Sequence, residues 1–446
     1  MPSSPVTSGR LADWIVSQKE TFLADLAAGR GKGWTVAVGN EAGDLDTIAS
    51  SIAYAFLAST LRAQRVVPVI LTPKKYMRLR PENLMALERS SIPADNLLHI
   101  EDLSVKAGDL IGAGVEFALV DHNRLLKQFG TDDAAYNQVN AILDHHEDEG
   151  VSLNASPRTV VVPCGSCTTL VALNFKDEWT ASLSGPAKGA GSPVPPEVGT
   201  LLVSGIMIDT KGLKKGRKTT DRDIDAAQFL YSVSSLQTAG TTAAVAITSD
   251  TDTDKLPDTL QVLSQDLVLS KYDVTDMSGH DLLVRDYKEY LWETSSKVFP
   301  KVVVGLCTVP VKLERTVTLE GGWGKSLPIL DDYMEELKLD LLGIATTWRN
   351  KRGKHRRELL LSVRSGGALA DIDAAKRILD ALAKGLEADS ETFDLKPWKH
   401  HDESLAPADN PMNTSTRVAH VWRQGNARST RKQIAPAMHR IVSSLT

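Results

Sequence analysis

The chain has 446 residues, 42% of them hydrophobic and 24% charged, an ordinary globular composition that excludes a largely disordered chain and favours two domains. It has no apolar run near the roughly 20 residues a membrane helix needs, its first ten residues lack the apolar stretch of a secretory signal, and its three cysteines make no disulfide framework. The net charge of -5 falls wholly on residues 1–250, while residues 251–446 are neutral with clustered cations, a pattern that predicts a local anion site rather than a nucleic-acid coat. The expected protein is cytoplasmic, with no membrane or nucleic-acid partner.

Along the chain, Trp34–Gly39 reads as a short buried strand ending in a polar turn. Asp46–Leu61 follows with Ile48, Ile52, Ala55 and Phe56 at helical spacing, and Asp46 or Thr47 is available as a cap. Further strands are expected at Val66–Leu71, Phe117–Val120, Ala141–Leu143 and Thr159–Val162, and Val203–Ile208 reads as another apolar run of that kind. Strands alternating with helices predict a parallel sheet with helices on both faces, whose ligand crevice lies beyond the strand carboxyl ends. Ser182–Gly199 reads as a surface loop. The polar tract Gly240–Pro257 marks the expected boundary between domains 1–245 and 246–446. In the second half strands are expected at Val302–Gly305, Leu341–Thr346 and Glu358–Ser362, helices at Asp331–Leu342 and Ala370–Leu386, and a long polar excursion at Glu387–Thr416.

The apolar runs of the first half lead directly into metal-ligand residue types. Asn40-Glu-Ala-Gly-Asp44-Leu-Asp46 follows the first strand, Asp121-His122-Asn123 the third, and Asp144-His145-His146 the fourth, while Val203–Ile208 runs into Asp209. An Asp-x-Asp alone is often a helix cap, and an Asp-His-His alone is compatible with a solvated turn. Four such motifs at the edge of one parallel sheet are a different matter, because carboxylates crowded together repel unless cations neutralise them. Oxygen ligands mixed with imidazole suit Mg²⁺ or Mn²⁺ better than Zn²⁺. The pattern therefore points to a two-metal site that hydrolyses a phosphate ester or anhydride.

These motifs, in this order, resemble the four motifs of the DHH phosphoesterase superfamily. Gly165-Ser-Cys-Thr-Thr-Leu170 is similar to a further segment of that family. Asp286-Tyr-Lys288, Gly353-Lys-His-Arg-Arg357 and Ser429-Thr-Arg-Lys-Gln433 resemble the phosphate-binding elements of the subfamily containing manganese-type pyrophosphatases, prune proteins and fungal exopolyphosphatases. The resemblance covers about residues 30–446, and Asn40 with Asp121-His-Asn is most like the fungal cytosolic exopolyphosphatases. It implies a parallel α/β domain followed by a smaller mixed α/β domain, with the active site in the cleft between them.

By position, the resemblance implies two divalent cations, Mg²⁺ or Mn²⁺, one held by Asp44 and Asp121 and the other by Asp46, His145 and Asp209, with Asp121 bridging. Water activated by both cations is the implied nucleophile. His146, and His122 in a similar part, would touch the attacked or leaving phosphate, and Asp144 would orient its neighbouring histidine. Asn40 stands where the pyrophosphatases have a histidine ligand. As a harder, weaker ligand it would move selectivity from Mn²⁺ toward Mg²⁺.

Polyphosphate carries about one charge per phosphate and needs cations along its path, preferably arginine forks. Lys288, Lys354, His355, Arg356, Arg357, Arg431 and Lys432 are the candidate substrate-binding residues. Lys211, Lys214, Lys215, Arg217 and Lys218 are read as a solvated loop, and so are His400 and His401. Cys164-Gly-Ser-Cys167 lacks the second pair that a four-cysteine zinc site needs and is read as backbone packing near the site. The expected function is a metal-dependent exopolyphosphatase acting on inorganic polyphosphate as a monomer. The alternatives are an inorganic pyrophosphatase or a prune-like short-chain polyphosphatase or cyclic-nucleotide phosphodiesterase. The nuclease branch of the superfamily is disfavoured, because neither Gly321-Gly322 nor Gly366-Gly367 is followed by its histidine.

Overall fold

The computed structural model describes residues 9–184, 192–215, 218–237, 256–350, 352–399 and 412–446. The expected boundary at 245/246 and the residues Arg217, Lys351, His400 and His401 lie outside the described residues, as does most of the tract 240–257. The chain divides into two compact units, Met1–Asp273 and Val274–Thr446.

In the first unit, β1 (Thr35–Val38), β2 (Val66–Val69), β3 (Glu116–Val120), β4 (Val139–Asp144) and β5 (Arg158–Val160) form a parallel sheet in the order β2-β1-β3-β4-β5. Its helices are α1 (Arg10–Ala27), α2 (Leu45–Arg62), α3 (Pro81–Arg89), α4 (Asp109–Gly112), α5 (Asp133–Tyr136), α6 (Cys167–Leu183), α7 (Pro196–Asp209), α8 (Asp221–Val233) and α9 (Asp258–Tyr272). Successive strand side chains face opposite ways, and the two faces bury separate cores. Ala37, Ala118, Val120, Ala141 and Leu143 pack with α2, α6 and α7, whereas Val36, Val38, Phe117, Leu119 and Ile142 pack with Phe22 and Leu26 of α1 and Leu110 of α4. From β1 the chain crosses to β2 on one side, and from β3 to β4 on the other, so the order reverses between β1 and β3. Such a reversal at the carboxyl edge is where parallel sheets of this kind place a ligand crevice.

One expected strand is corrected. Val203–Ile208 is the last part of α7, not a strand, and Val198–Ile208 is buried without interruption. A helix apolar on all sides belongs inside a core, and a short apolar run does not distinguish it from a buried strand. The first unit extends through Asp273, and α9 packs as a member of it. Its Asp266 pairs with Arg89 of α3, and its Ser264 hydroxyl donates to Met207 O of α7 at 3.3 Å. Burying Leu260, Leu263 and Leu267 stabilises that attachment by about 1.5–3 kcal/mol per side chain.

The second unit contains α10 (Gly279–Val284), β6 (Tyr287–Glu293), β7 (Lys301–Val309), α11 (Leu313–Leu319), α12 (Trp323–Glu336), β8 (Leu341–Thr346), β9 (Trp348–Arg349), β10 (His355–Arg364), α13 (Ile372–Ala388), β11 (Leu395–Pro397), β12 (Arg417–Gln424) and α14 (Arg431–Ser443). Its sheet runs β11-β12-β10-β8-β7-β6, with β9 paired to β10, and is mixed because only the β7–β8 pair is parallel. The helix expected at Asp331–Leu342 stops at Glu336, and Leu341 already belongs to β8. Among the described residues no helix is long and apolar enough to cross a membrane.

Candidate metal centre

The carboxyl ends of β1, β3 and β4, adjacent in the sheet, bring three of the motifs together. A Cβ on Gly39 would stand 2.2 Å from Thr47 Cγ2, so only glycine lets the end of β1 pass this close to α2. Asn40 Nδ2 donates to Asp121 O and Oδ2, both at 2.8 Å, and its Oδ1 accepts from Ala42 N at 2.9 Å. Asn40, an expected metal ligand, is thereby also a holder of Asp121. The amide nitrogen has two acceptors on Asp121, so the oxygen, its one ligand atom, turns to the Ala42 amide.

Asp121 closes β3 in the left-handed region, at φ 62°, a conformation costing a non-glycine residue about 1–2 kcal/mol. It is held there by its N–H, which donates to Leu143 O at 3.0 Å and to Cys167 Sγ at 3.2 Å. Its Oδ2 also accepts from Thr47 Oγ1 at 2.6 Å. Its Oδ1 is buried and has no hydrogen-bond donor among the described residues. His145 Nε2 lies 3.2 Å from this oxygen and His146 Nδ1 lies 3.6 Å from it, at ion-pair range. Asp121, His145 and His146 thus form a group whose ligand atoms lie within 4.8 Å of one another.

The histidines are oriented from behind. His145 Nδ1 donates to Cys164 O at 3.1 Å, which turns Nε2 toward Asp121 and toward Asp46 Oδ2 at 3.5 Å. His146 Nδ1 donates to Asp144 Oδ1 at 2.9 Å, and its side chain is half exposed. Asp144 is fully buried and also accepts from the His145 and His146 amides and from Asn123 Nδ2. His122 donates from Nδ1 to Val120 O at 2.9 Å, and its Nε2 is buried with no partner among the described residues. It stands beside the Asp121 group rather than in it.

Asp46, 3% exposed, accepts from Ser166 Oγ at 2.6 Å, Cys167 N at 2.9 Å and Thr168 N at 3.0 Å, at the start of α6. Asp44 caps α2 by accepting from Thr47 N at 3.3 Å. Burial opposes its charge, but Arg80, Lys271 and the Thr47 hydrogen bonds outweigh that and hold the carboxyl below its ordinary value. Burial and the charges of Asp46 and Asp44 push Asp209 well above the carboxylate range. Burial, then Asp46 and Asp44 against an opposing His145, lift Asp121 to about 7. Burial disfavours charge on His145, yet Asp121, Asp46 and Asp209 override it and raise the imidazole to about 10. Without cations Asp121 and Asp209 favour their protonated forms, the behaviour of groups built to surround positive charge. The orphaned Asp121 oxygen, the presented His145 nitrogen and the oxygen-rich remainder fit a hard divalent cation.

Several supports had not been picked out from the sequence. Arg80 donates to Ala42 O at 2.5 Å, and Asn83 donates to Gly43 O at 2.8 Å, fixing the 40–44 turn. Lys271 of α9 acts on both Asp44 and Asp209. Asp223 binds the 164–169 turn. Cys164 and Cys167 are buried, unpaired thiols, the first pushed up to about 12 by burial, so they pack beside the site as the sequence implied. Lys211, Gly212 and Leu213 form a left-handed turn after α7, with Lys211, Lys214 and Lys215 exposed.

In the second unit, Arg431 donates to Asp286 O at 2.9 Å and Leu306 O at 3.2 Å and pairs with Asp286 Oδ1 at 2.8 Å. Lys288 pairs with that same Leu306 in the β6–β7 register, which sets it beside Arg431. Arg357 donates to Ala427 O at 2.9 Å, tying β10 to the loop that enters α14. Arg431 and Lys432 occupy the first turn of α14, where no acid is present. Cations at the positive end of a helix are unfavourable alone, by about 0.3–1 kcal/mol each, and suit a bound anion. Lys354, His355 and Arg356 sit on the β9–β10 hairpin just before Arg357. Among the described residues Lys288, Lys354, Arg356 and Lys432 show no side-chain partner, whereas Arg357 and Arg431 are committed to backbone carbonyls.

A profile of the DHH family N-terminal domain matches residues 34–206, and one of the DHHA2 domain matches residues 265–441. The chain is 31% identical over 377 residues to a Schizosaccharomyces pombe protein named "Putative exopolyphosphatase", covering 82% of this chain and 86% of that one. It is 36% identical over 140 residues to "Exopolyphosphatase PRUNE1" of Bos taurus, covering 31% and 30% of the two chains. It is also 25% identical over 257 residues to the "Probable manganese-dependent inorganic pyrophosphatase" of Oceanobacillus iheyensis, covering 57% and 66%.

Proposed function

The chain belongs to the DHH family, and we propose that this hydrolase is a metal-dependent exopolyphosphatase that releases terminal orthophosphate from inorganic polyphosphate. The observation that carries the reading is Asp121 Oδ1, a buried carboxylate oxygen with no hydrogen-bond donor among the described residues, facing His145 and His146 amid further carboxylates. Asp44 and Asp121 would hold one divalent cation, and Asp46, His145, Asp209 and the shared Asp121 a second, with Mg²⁺ or Mn²⁺ as the ions. Bound there, such ions supply Lewis-acid polarisation of the phosphoryl oxygens and lower the pKa of water.

The side chains of the site do the rest. Asn40 and Thr47 grip Asp121 Oδ2 and leave Oδ1 for a cation. Cys164 O holds the Nδ1 proton of His145, which keeps its Nε2 free to coordinate. His146, half exposed and backed by Asp144, presents Nε2 toward the attacked or leaving phosphate. Lys288, Lys354, His355, Arg356, Arg357, Arg431 and Lys432 hold the remaining phosphates by charge. The relatives' names favour a phosphoanhydride, and the number of cations favours a long one.

The test is orthophosphate release in Mg²⁺ from long-chain polyphosphate, pyrophosphate and a short oligonucleotide in parallel, with Asp121→Asn as the control. Rapid release from polyphosphate alone, absent in the variant, is expected. A preference for pyrophosphate would keep the metal centre and overturn the long-chain reading. Hydrolysis of none would overturn the function.

A further inference from the structure

We propose that Asp223 is a positioning residue of the metal centre, a clamp that sets His145, Asp46 and Asp121 for cation binding through the turn 164–169; this rests on the metal reading above. Asp223 lies in the first turn of α8 and is fully buried. It accepts from Gly165 N at 3.1 and 3.0 Å on its two oxygens, from Thr169 Oγ1 at 2.6 Å, and from Thr220 N and Oγ1, both at 2.7 Å. The Thr220 bonds are an ordinary helix capping box. Those to Gly165 and Thr169 serve no need of α8, since they reach a segment more than fifty residues earlier and grip it near both ends.

The gripped turn touches three candidate ligands. Cys164 O takes the Nδ1 proton of His145, and Ser166 Oγ, Cys167 N and Thr168 N all donate to Asp46. Cys167 Sγ accepts from Asp121 N and donates to Leu143 O at 3.1 Å. Contact at Gly165 is tight. A Cβ there would lie 2.7 Å from Asp223 Oδ2 and 2.8 Å from Thr210 Cγ2, so the carboxylate meets the backbone where only glycine fits. Loosening the clamp frees the Cys164 carbonyl, and with it the His145 tautomer and the spacing of its Nε2 from Asp46 and Asp121. Groups that orient ligands in this way change metal affinity by about 10–100-fold when lost.

The test uses the full-length protein and two opposite perturbations. Asp223→Asn keeps the shape but sets an amide N–H against the Gly165 or Thr220 donor, and Gly165→Ala keeps the carboxylate but pushes the turn away. Mn²⁺ affinity is read by electron paramagnetic resonance without substrate, and kcat and KM with long-chain polyphosphate. Asp340→Asn is the control, a buried carboxylate that accepts from Val303 N and Ala368 N in the second unit. Both test variants should weaken Mn²⁺ binding by about 10–100-fold. Their kcat should recover at saturating metal with KM little changed. Asp340→Asn should lower the melting temperature and leave Mn²⁺ affinity alone. Parent-like Mn²⁺ affinity in both variants would overturn the proposal. Should Asp223→Asn fail to fold, Thr169→Val, which removes one donor and keeps the capping box, replaces it under the same criterion. A parent protein that binds Mn²⁺ but hydrolyses no polyphosphate would overturn the proposed function and leave the clamp standing. One that binds no Mn²⁺ overturns both.

Discussion

Replacing Asn40 separates two roles that its position alone leaves open, metal ligand or holder of Asp121. Asn40→Ala removes a hydrogen bond to the Asp121 carbonyl and one to its carboxylate, each 2.8 Å long. A neutral bond contributes about 0.5–1.5 kcal/mol and one to a charged group about 1.5–3, so the metal-free first unit should lose about 2–4 kcal/mol. The loss should be felt at Asp121, whose left-handed backbone is kept in place partly by that carbonyl contact. Urea unfolding of the metal-free protein measures the first quantity, and Mn²⁺ titration the second. Asn40→Asp sharpens the distinction. If Asn40 were a ligand, an anionic oxygen there would tighten cation binding. As a donor to Asp121, its replacement by a second carboxylate sets like charges together above pH 7, where Asp121 is ionised, and at pH 8 the variant should be less stable than Asn40→Ala without metal. A stability change below about 0.5 kcal/mol in Asn40→Ala, with parent Mn²⁺ affinity, would refute the holder role.

Asp121→Asn should reduce phosphate release by more than about a hundredfold, since even partners outside the ligand set cost 10–100-fold, and residual activity near the parent level would remove Asp121 from the centre. Asp121, lifted to about 7, is largely protonated in the metal-free protein at pH 6, and binding must displace that proton. The Mn²⁺-induced rise in melting temperature should therefore be larger at pH 8 than at pH 6, and calorimetry in two buffers should show proton release at the lower pH. An equal rise at both would contradict the burial and crowding described for Asp121. Lys288→Ala and Arg356→Ala, which break no side-chain contact seen among the described residues, should each raise KM for long-chain polyphosphate about tenfold with kcat little changed, as expected for one charge-assisted phosphate contact. An unchanged KM would leave these cations to the solvent.

The ligand types were legible because parallel topology puts every strand's carboxyl end on one edge, so a motif a few residues past a strand needs no long-range information to be placed. Asp121 follows β3, Asp144 ends β4 with His145 next, and the expected strands of the first half other than Val203–Ile208 overlap the observed ones. The segment before Asp209 shows a limit, since Val203–Ile208 is not a strand but the buried end of a helix whose apolar run hides its period. What stayed hidden is the support. Thr47 reads as an early helix residue, Asp223 as an ordinary capping-box acid, and Lys271 as the last cation of an amphipathic helix. Each local role is real and sufficient, so nothing near it in the chain signals a second. Asn40 shows the opposite limit. Its place in the motif suggests a ligand, and the paired acceptors on Asp121 give it a second role that the motif does not show. A coordination site is thus written locally in its ligands and non-locally in what orients them. A substitution such as Gly165→Ala, which leaves every candidate ligand intact, is accordingly the kind that distinguishes a built metal centre from a mere crowd of carboxylates.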